Sequence, residues 1–261
     1  MSKIVRKYRH RLLCGDCTIK ENVDLLMGSE KADMVFTDPP YNIAGNLKIA
    51  HAQPGKNKSK GSEMLQNSEW DKDFDIHPCL ENIRQHLDDI FGVMIFTSQY
   101  LAGKIWEWMN SFCHWWGYSI YERTNPTPMA AITNGTLLIA TDLICYGYSK
   151  GHKINHREGT YLSNVFRNPK THQKEFLGHP TQKPVALIEN ILSHIDFNIC
   201  LDLFLGSGTT LIACEKTNRK CFGCEVDPHY CQVIVERYLK YTGRNDVYII
   251  NDGKRIAYSE L

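Results

Sequence analysis

"LDLFLGSGTT", residues 201–210, decides the fold. An apolar run ends in a glycine-rich turn, and a helical pattern follows Gly208. Strand, tight turn and helix in that order form the first unit of a nucleotide-binding α/β sheet, with the glycines letting a ligand approach the backbone closely. In a dinucleotide fold a pyrophosphate would lie at the helix N-terminus. Here the GxGxxG spacing is absent, because Thr209, Thr210 and Leu211 follow Gly208, and no GK[ST] follows to make a P-loop. Asp202, just ahead of the turn, would repel a pyrophosphate but suits a cationic amino group.

A second acid, Glu225, closes the next apolar run, "KCFGCEV" (220–226), about twenty residues on, where an acid accepts hydrogen bonds from ribose hydroxyls. A ligand with a ribose, an ammonium group and no phosphate is S-adenosylmethionine. A turn with no ligand is the alternative for "FLGSGTT" alone; the pairing with Glu225 argues against it.

Working outward, short apolar runs alternate with helical patterns, the signature of a doubly wound α/β sheet. Strands are expected at 11–16, 33–38, 92–98, 118–123, 142–149, 199–206, 220–226 and 247–251. Ile188, Ile191, Leu192 and Ile195 carry the i, i+3, i+4, i+7 spacing of a helix over 184–195. Pro184 is expected at its start, where a missing N–H costs little. Further helices are expected after Gly208 and over 228–241.

Two stretches break the alternation. Residues 43–69 are long, polar and lysine-rich, and residues 150–178 concentrate Lys, Arg and His with few large aliphatics. A loop as long as the first is functional or disordered in most compact domains. Solvated surface is the plain reading of both. Two basic insertions on one enzyme-like core fit a nucleic-acid clamp better. The whole-chain charge of +1 hides this, so a nucleic-acid surface has to be local.

"TDPPYN" (37–42) places a carboxylate, two rigid prolines and an aromatic face side by side after the apolar "DMVF". As a purely structural feature it is a stiff strand-to-loop turn.

The ten cysteines include two CxxC pairs, Cys14/Cys17 and Cys221/Cys224. Four thiolates could hold zinc. A CxxC within one strand splays its thiols to opposite faces, so buried small side chains in a reducing compartment are expected, and no metal. No apolar run approaches the roughly 18 residues of a membrane span. "MSKIVRKYRHRLLCGD" (1–16) lacks the apolar region of a secretory signal, so a cytoplasmic location is expected. Trp106, Trp108, Trp115 and Trp116 are expected in the core rather than stacked on bases, and His179 in a loop.

Four segments, in order, resemble the amino-methyltransferases of DNA, in the group whose DPPY motif precedes its FxGxG motif: "LLCGDC" (12–17), "TDPPYN", "HPTQKPVALIENIL" (179–192) and "DLFLGSGTT…FGCEVD" (202–227). The resemblance covers most of the chain outside the two insertions. It implies the Rossmann-like α/β fold of S-adenosylmethionine-dependent methyltransferases: one domain over 1–261, with a seven-stranded, mostly parallel sheet, an antiparallel hairpin and a permuted motif order. Implied cofactor contacts are Asp16 and Cys17 by the adenine ring, and Asp202, Phe204, Gly206, Ser207, Gly208 and Thr209 around the methionine part. Glu225 would lie on the ribose, with Thr181 and Lys183 on the cofactor's tail.

Asp38, Pro39, Pro40 and Tyr41 are the implied catalytic group. The Asp38 carboxylate and Pro39 carbonyl would each accept one N–H of an exocyclic amine, aiming its lone pair at the methyl. Pro40 helps fix the corner, and Tyr41 would stack on a flipped base. Residues 43–69 are expected to be a mobile DNA-facing loop, with Lys56, Lys58 and Lys60 on phosphates. Residues 150–178 are the candidate target-recognition region, with Arg157, Asn164 and Arg167 reading sequence. One departure is "YERTNP" (121–126), where the family often has aromatic-Asp-Lys; the roles of Glu122 and Arg123 stay open.

The implied activity is site-specific adenine-N6 methylation of double-stranded DNA by a monomer or homodimer, in a restriction–modification setting. Asp rather than Ser at the first motif position leans towards adenine. Cytosine-N4 methylation, another substrate class such as RNA or a protein amide, and a non-catalytic binding subunit remain as alternatives.

Overall fold

The computed structural model describes residues 9–42, 73–126, 140–154, 161–169, 182–251 and 254–260. The strands are β1 (Arg11–Cys14), β2 (Ala32–Thr37), β3 (Leu87–Thr97), β4 (Trp115–Arg123), β5 (Thr141–Tyr148), β6 (Val165–Asn168), β7 (Ile199–Asp202), β8 (Lys220–Glu225), β9 (Tyr248–Asn251) and β10 (Lys254–Ala257). The helices are α1 (Lys20–Met27), α2 (His77–Gln85), α3 (Ala102–Asn110), α4 (Val185–Ser193), α5 (Thr209–Lys216) and α6 (Pro228–Thr242).

Eight strands form one sheet in the order β1-β8-β7-β2-β3-β5-β4-β6. The first five are mutually parallel, β5 runs against β3 and β4, and β6 lies parallel to β4. This is the mostly parallel α/β sheet of the methyltransferase type, with β4 and β5 supplying the antiparallel hairpin. The permutation is visible in the topology: β2 precedes β7 in the chain yet pairs beside it, through Met34↔Cys200 and Val35↔Leu201.

Alternating side chains of the strands feed two core layers. Val35, Val93 and Ile95 face one, with Val23 and Leu26 of α1, Leu80 and Ile83 of α2 and Ile105 of α3. Met34, Phe36, Met94 and Phe96 face the other, with Ile188 and Ile191 of α4, Leu211 of α5 and Ile234 of α6. The central strands are therefore apolar on both faces, which is why they read as unbroken hydrophobic runs. β8 sends Cys221 into one layer and Cys224 into the other.

Three expectations need correction. The sheet has an eighth strand, β6, inside the stretch read as an insertion; Ile120↔Val165 and Tyr121↔Phe166 pair it to β4. Among the described residues "VYIIN" is not part of the main sheet: β9 pairs with β10 in a separate two-stranded ribbon. Trp115 is 58% exposed rather than buried. Trp106 stacks on Tyr118 at 4.5 Å between ring centroids, while Trp108 and Trp116 pack against the core as expected. Pro184 stands at the start of α4 as expected, as its N-cap in extended backbone. Among the described residues, no helix is long and apolar enough to cross a membrane.

Candidate active site

In a sheet that winds outward in both directions, ligands collect beyond the carboxyl ends of the strands where the direction changes. Here that point lies between β7, which leads outward to β8 and β1, and β2, which leads to β3. Asp16 and Cys17 follow β1, Glu225 ends β8, Asp202 ends β7 and Asp38 follows β2. Four neighbouring strands thus deliver four acids to one edge.

Asp202 is 2% exposed. Its Oδ1 accepts from the Thr37 hydroxyl at 2.7 Å and from the Phe204 amide at 3.1 Å, which ties the end of β7 to the end of β2. Burial pushes its carboxyl up to about 7, against the opposing pull of the Thr37 and Thr210 hydroxyls. The turn that follows is built by Gly206 (φ 53°) and Gly208 (φ 80°), both left-handed, a region that L side chains enter at a cost. The Gly206 N–H donates to Glu225 Oε2 at 2.7 Å, and the Asp227 N–H to Oε1 at 3.0 Å. Burial raises the Glu225 carboxyl as well, with these amides acting against it. An amide that a pyrophosphate would use is therefore taken by a carboxylate.

Two features support the turn that sequence reasoning did not single out. Arg237 of α6 donates through Nη1 to the Ser207 carbonyl at 2.9 Å and to Thr209 Oγ1 at 3.2 Å. Gly223 of β8 faces Leu205 so closely that a Cβ there would lie 2.0 Å from Leu205 Cδ1. Arg237 lies outside the motif segments and Gly223 is an unremarked letter of "FGCEVD"; both roles depend on which strand and helix come to lie behind the turn. Phe204 packs edge-on against Phe74 at 5.6 Å.

At the end of β2, Pro39 is buried and Asp38 is held by two donors. The Tyr41 hydroxyl donates to Asp38 Oδ1 at 2.7 Å, and Lys183 Nζ donates to Oδ2 at 2.6 Å. Burial and the neighbouring Asp38 push the Tyr41 phenol well above its ordinary value, so it keeps the proton it donates. The Ser98 hydroxyl donates to the Tyr41 carbonyl at 2.8 Å. The Asn42 side chain both donates to the Phe74 carbonyl (2.8 Å) and accepts from its N–H (2.9 Å), which joins the two ends of the intervening stretch.

The remaining expected residues fall in three places. Asp16 is exposed and accepts from the Thr18 amide and hydroxyl, while the Cys17 thiol turns inward, 3.6 Å from that of Cys79. Lys183 meets Asp38 and Tyr41. Asn164 and Arg167 lie at the far edge of the sheet: the Ile120 amide donates to the Asn164 carbonyl, and Arg167 Nε pairs with Glu122 at 2.8 Å. Arg123, the other residue of the departing "YER", pairs with Asp142 at 2.7 Å. Lys56, Lys58, Lys60, Arg157, His179 and Thr181, and all of 43–69, lie outside the described residues. Among the described residues, no group of three or more His, Cys, Asp or Glu is arranged to hold a metal ion.

A family model described as DNA methylase matches residues 118–236. The type II methyltransferase M.HpaI of Haemophilus parainfluenzae is 28% identical over 244 residues, spanning 87% of this chain and 73% of its own. Among solved structures, M1.HpyAVI in its SAM complex aligns with a TM-score of 0.64 at 22% identity, over 88% of this chain and 98% of its own. The cytosine-N4-specific PvuII DNA methyltransferase aligns at 0.61 and 15% identity, over 89% and 87%. At such identities the two structures bear on fold alone, and the fold they share is the sheet described above. The family match over 118–236, the relative spanning most of both chains and the common fold agree with an acid-lined switch point beside a DPPY turn: the chain resembles the DNA amino-methyltransferases.

Proposed function

We propose that this chain is a site-specific DNA adenine-N6 methyltransferase that uses S-adenosylmethionine. The observation that carries the reading is the Thr37–Asp202 hydrogen bond of 2.7 Å, which sets the turn after β2 and the turn after β7 side by side. One turn then addresses the amine and the other the methyl donor.

The residues fit the cofactor. Asp202 offers a buried acid to an ammonium group. Glu225 has both oxygens oriented by backbone amides, and each keeps a second lone pair for a ribose hydroxyl. Gly206 and Gly208 hold the left-handed backbone of the turn, with Ile234 packed where a Cβ on Gly208 would lie, and two acids with an occupied amide disfavour phosphate. When bound, S-adenosylmethionine supplies an electrophilic methyl group. Asp202, Phe204, Gly206, Ser207, Gly208 and Thr209 would hold its methionine part, Glu225 its ribose, and the segment of Asp16 and Cys17 its adenine.

The chain's own contribution to the reaction is orientation. Asp38 and the Pro39 carbonyl take one amine hydrogen each, which favours a tetrahedral nitrogen with its lone pair directed outward. Pro39 and Pro40 keep these acceptors fixed, so little reorganisation is needed as charge develops. Tyr41 gives a face for the base once it leaves the stack. Double-stranded DNA is the proposed substrate, with the lysines of 43–69 on phosphates and Arg157, Asn164 and Arg167 near bases.

Cytosine-N4 transfer is the competing reading, because a cytosine-N4-specific enzyme shares the fold. Asp38 at the first motif position favours adenine. Mass spectrometry of nucleosides from DNA incubated with the enzyme separates the two: N6-methyladenine is expected, and N4-methylcytosine overturns the assignment. Asp38→Ala should lower methyl transfer at least ~100-fold, as loss of a preorganised polar group does. Its affinity for S-adenosylmethionine, read by calorimetry, should stay near wild type. Transfer at the wild-type rate in that variant would refute the mechanism.

A further inference from the structure

Lys183 is 9% exposed, and a buried ammonium is costly unless it is paired. Its Nζ donates to Asp38 Oδ2 at 2.6 Å and to the Tyr41 hydroxyl at 3.2 Å, while that hydroxyl donates to Asp38 Oδ1 at 2.7 Å. Ammonium, phenol and carboxylate close a ring of three hydrogen bonds. The Phe96 ring lies beneath the ammonium at 4.6 Å and the Tyr41 ring beside it at 5.3 Å. Asp142 of β5 stands behind it at 4.0 Å and is itself paired to Arg123 of β4 at 2.7 Å. Arg123, Asp142, Lys183 and Asp38 thus form a chain of alternating charge, two of each sign, leading from the antiparallel hairpin to the turn after β2.

We infer that Lys183 is a positioning residue for Asp38, held in place by Asp142, and not a ligand of the cofactor's tail. The inference rests on the proposed catalytic role of Asp38. A free carboxylate rotates about its own bond and presents its oxygens in many directions. With Oδ1 held by Tyr41 and Oδ2 by Lys183, one plane is selected, and each oxygen still has a lone pair for an N–H of the target amine. A charge-assisted bond of this length is among the stronger restraints a side chain can impose. Pro184 disfavours helical backbone at Lys183, which narrows the directions from which the lysine can enter. Asp142 does not touch the reacting groups; it acts through Lys183.

The test is single-turnover methyl transfer by the full chain, with calorimetry for S-adenosylmethionine and a thermal scan on the same preparations. Lys183→Met should lower the single-turnover rate ~10–100-fold, as misplacement of a catalytic group does, while cofactor affinity changes less than ~3-fold. Asp142→Asn should lower the rate less, and should add no further loss in the Lys183→Met background, since a residue acting through another is silent once that other is gone. Lys183→Gln replaces Lys183→Met if the latter melts early. Weaker cofactor binding equal to the loss of rate would overturn the inference and return Lys183 to the cofactor's tail. Additive losses at Asp142 and Lys183 would overturn it too. A wild-type chain without methyl-transfer activity would instead overturn the functional reading beneath it.

Discussion

With Asp202 in the proposed cofactor site, its raised carboxyl predicts that S-adenosylmethionine binding depends on pH. Its group lies at about 7 because burial disfavours the charged form. A ligand that places an ammonium beside it binds the carboxylate and not the acid, so affinity follows the ionised fraction. With a midpoint near 7, roughly nine-tenths is ionised at pH 8 and roughly one-tenth at pH 6, which predicts about a tenfold loss of affinity, or ~1.4 kcal/mol, on acidification. The same linkage requires a proton to leave when the cofactor binds below the midpoint. For stability the sign is opposite: a carboxyl whose folded value lies above its unfolded one stabilises the protein when protonated. That stabilisation is complete below ~4 and is lost as pH rises through about 7.

The assay is calorimetry with S-adenosylmethionine at pH 6, 7 and 8, each in two buffers of different ionisation enthalpy, so that the proton count is read directly. Asp202→Asn should bind weakly and, in this range, without the pH dependence. Affinity constant from pH 6 to 8 in the wild type would refute the reasoning. So would the same slope in Asp202→Asn, which would place the titrating group elsewhere.

Two further outcomes are expected. Gly223→Ala puts a methyl group 2.0 Å from Leu205 Cδ1, so it should cost about 1–3 kcal/mol as overpacking does, and loosen the turn; a thermal midpoint equal to wild type with unchanged cofactor affinity contradicts this. Replacing Lys56, Lys58 and Lys60 together with Ala should weaken binding to cognate and scrambled duplexes alike and flatten the log–log salt slope by about 2.7, three phosphates at 0.9 each. A change of preferred sequence in that variant, with no change of slope, would show that these lysines read bases instead.

The fold is legible in the sequence where burial is two-sided. β2, β7 and β8 are apolar on both faces, so "DMVF", "ICLD" and "KCFGCE" stand out as continuous runs, and the turn after β7 announces itself through Gly206 and Gly208. β6 is illegible for the opposite reason. It sits at the sheet edge, only Val165 and Phe166 of its four residues are apolar, and Phe166 alone is buried. "VYIIN" misleads because a ribbon strand and a sheet strand have the same local composition. The difference lies in the partner: β10 pairs with it, and Ile250 is left 75% exposed. Trp115 misleads for a related reason: it begins β4 beyond the stretch that β6 covers, and aromatic content alone does not say which end of a strand reaches solvent.

The site divides along the same line between local and distant information. Asp38, Pro39, Pro40 and Tyr41 are neighbours in the chain, and so are the residues of the turn after β7, so their grouping is written in a few consecutive letters. Lys183 lies 145 positions from Asp38 and Arg237 30 from Ser207. Nothing in the spacing of "TQKPV" says that its lysine will cross to the DPPY turn; that follows only when α4 packs against β2 and β3 and the Phe96 ring is underneath. The charge chain behind it is less legible still. Arg123 appears in sequence as a departure from an expected aromatic-Asp-Lys stretch, whereas in space it is the far end of a four-charge chain whose near end is the carboxylate of Asp38. A substitution in this stretch is therefore to be weighed against Asp142 on the neighbouring strand, and only through it against the reacting groups.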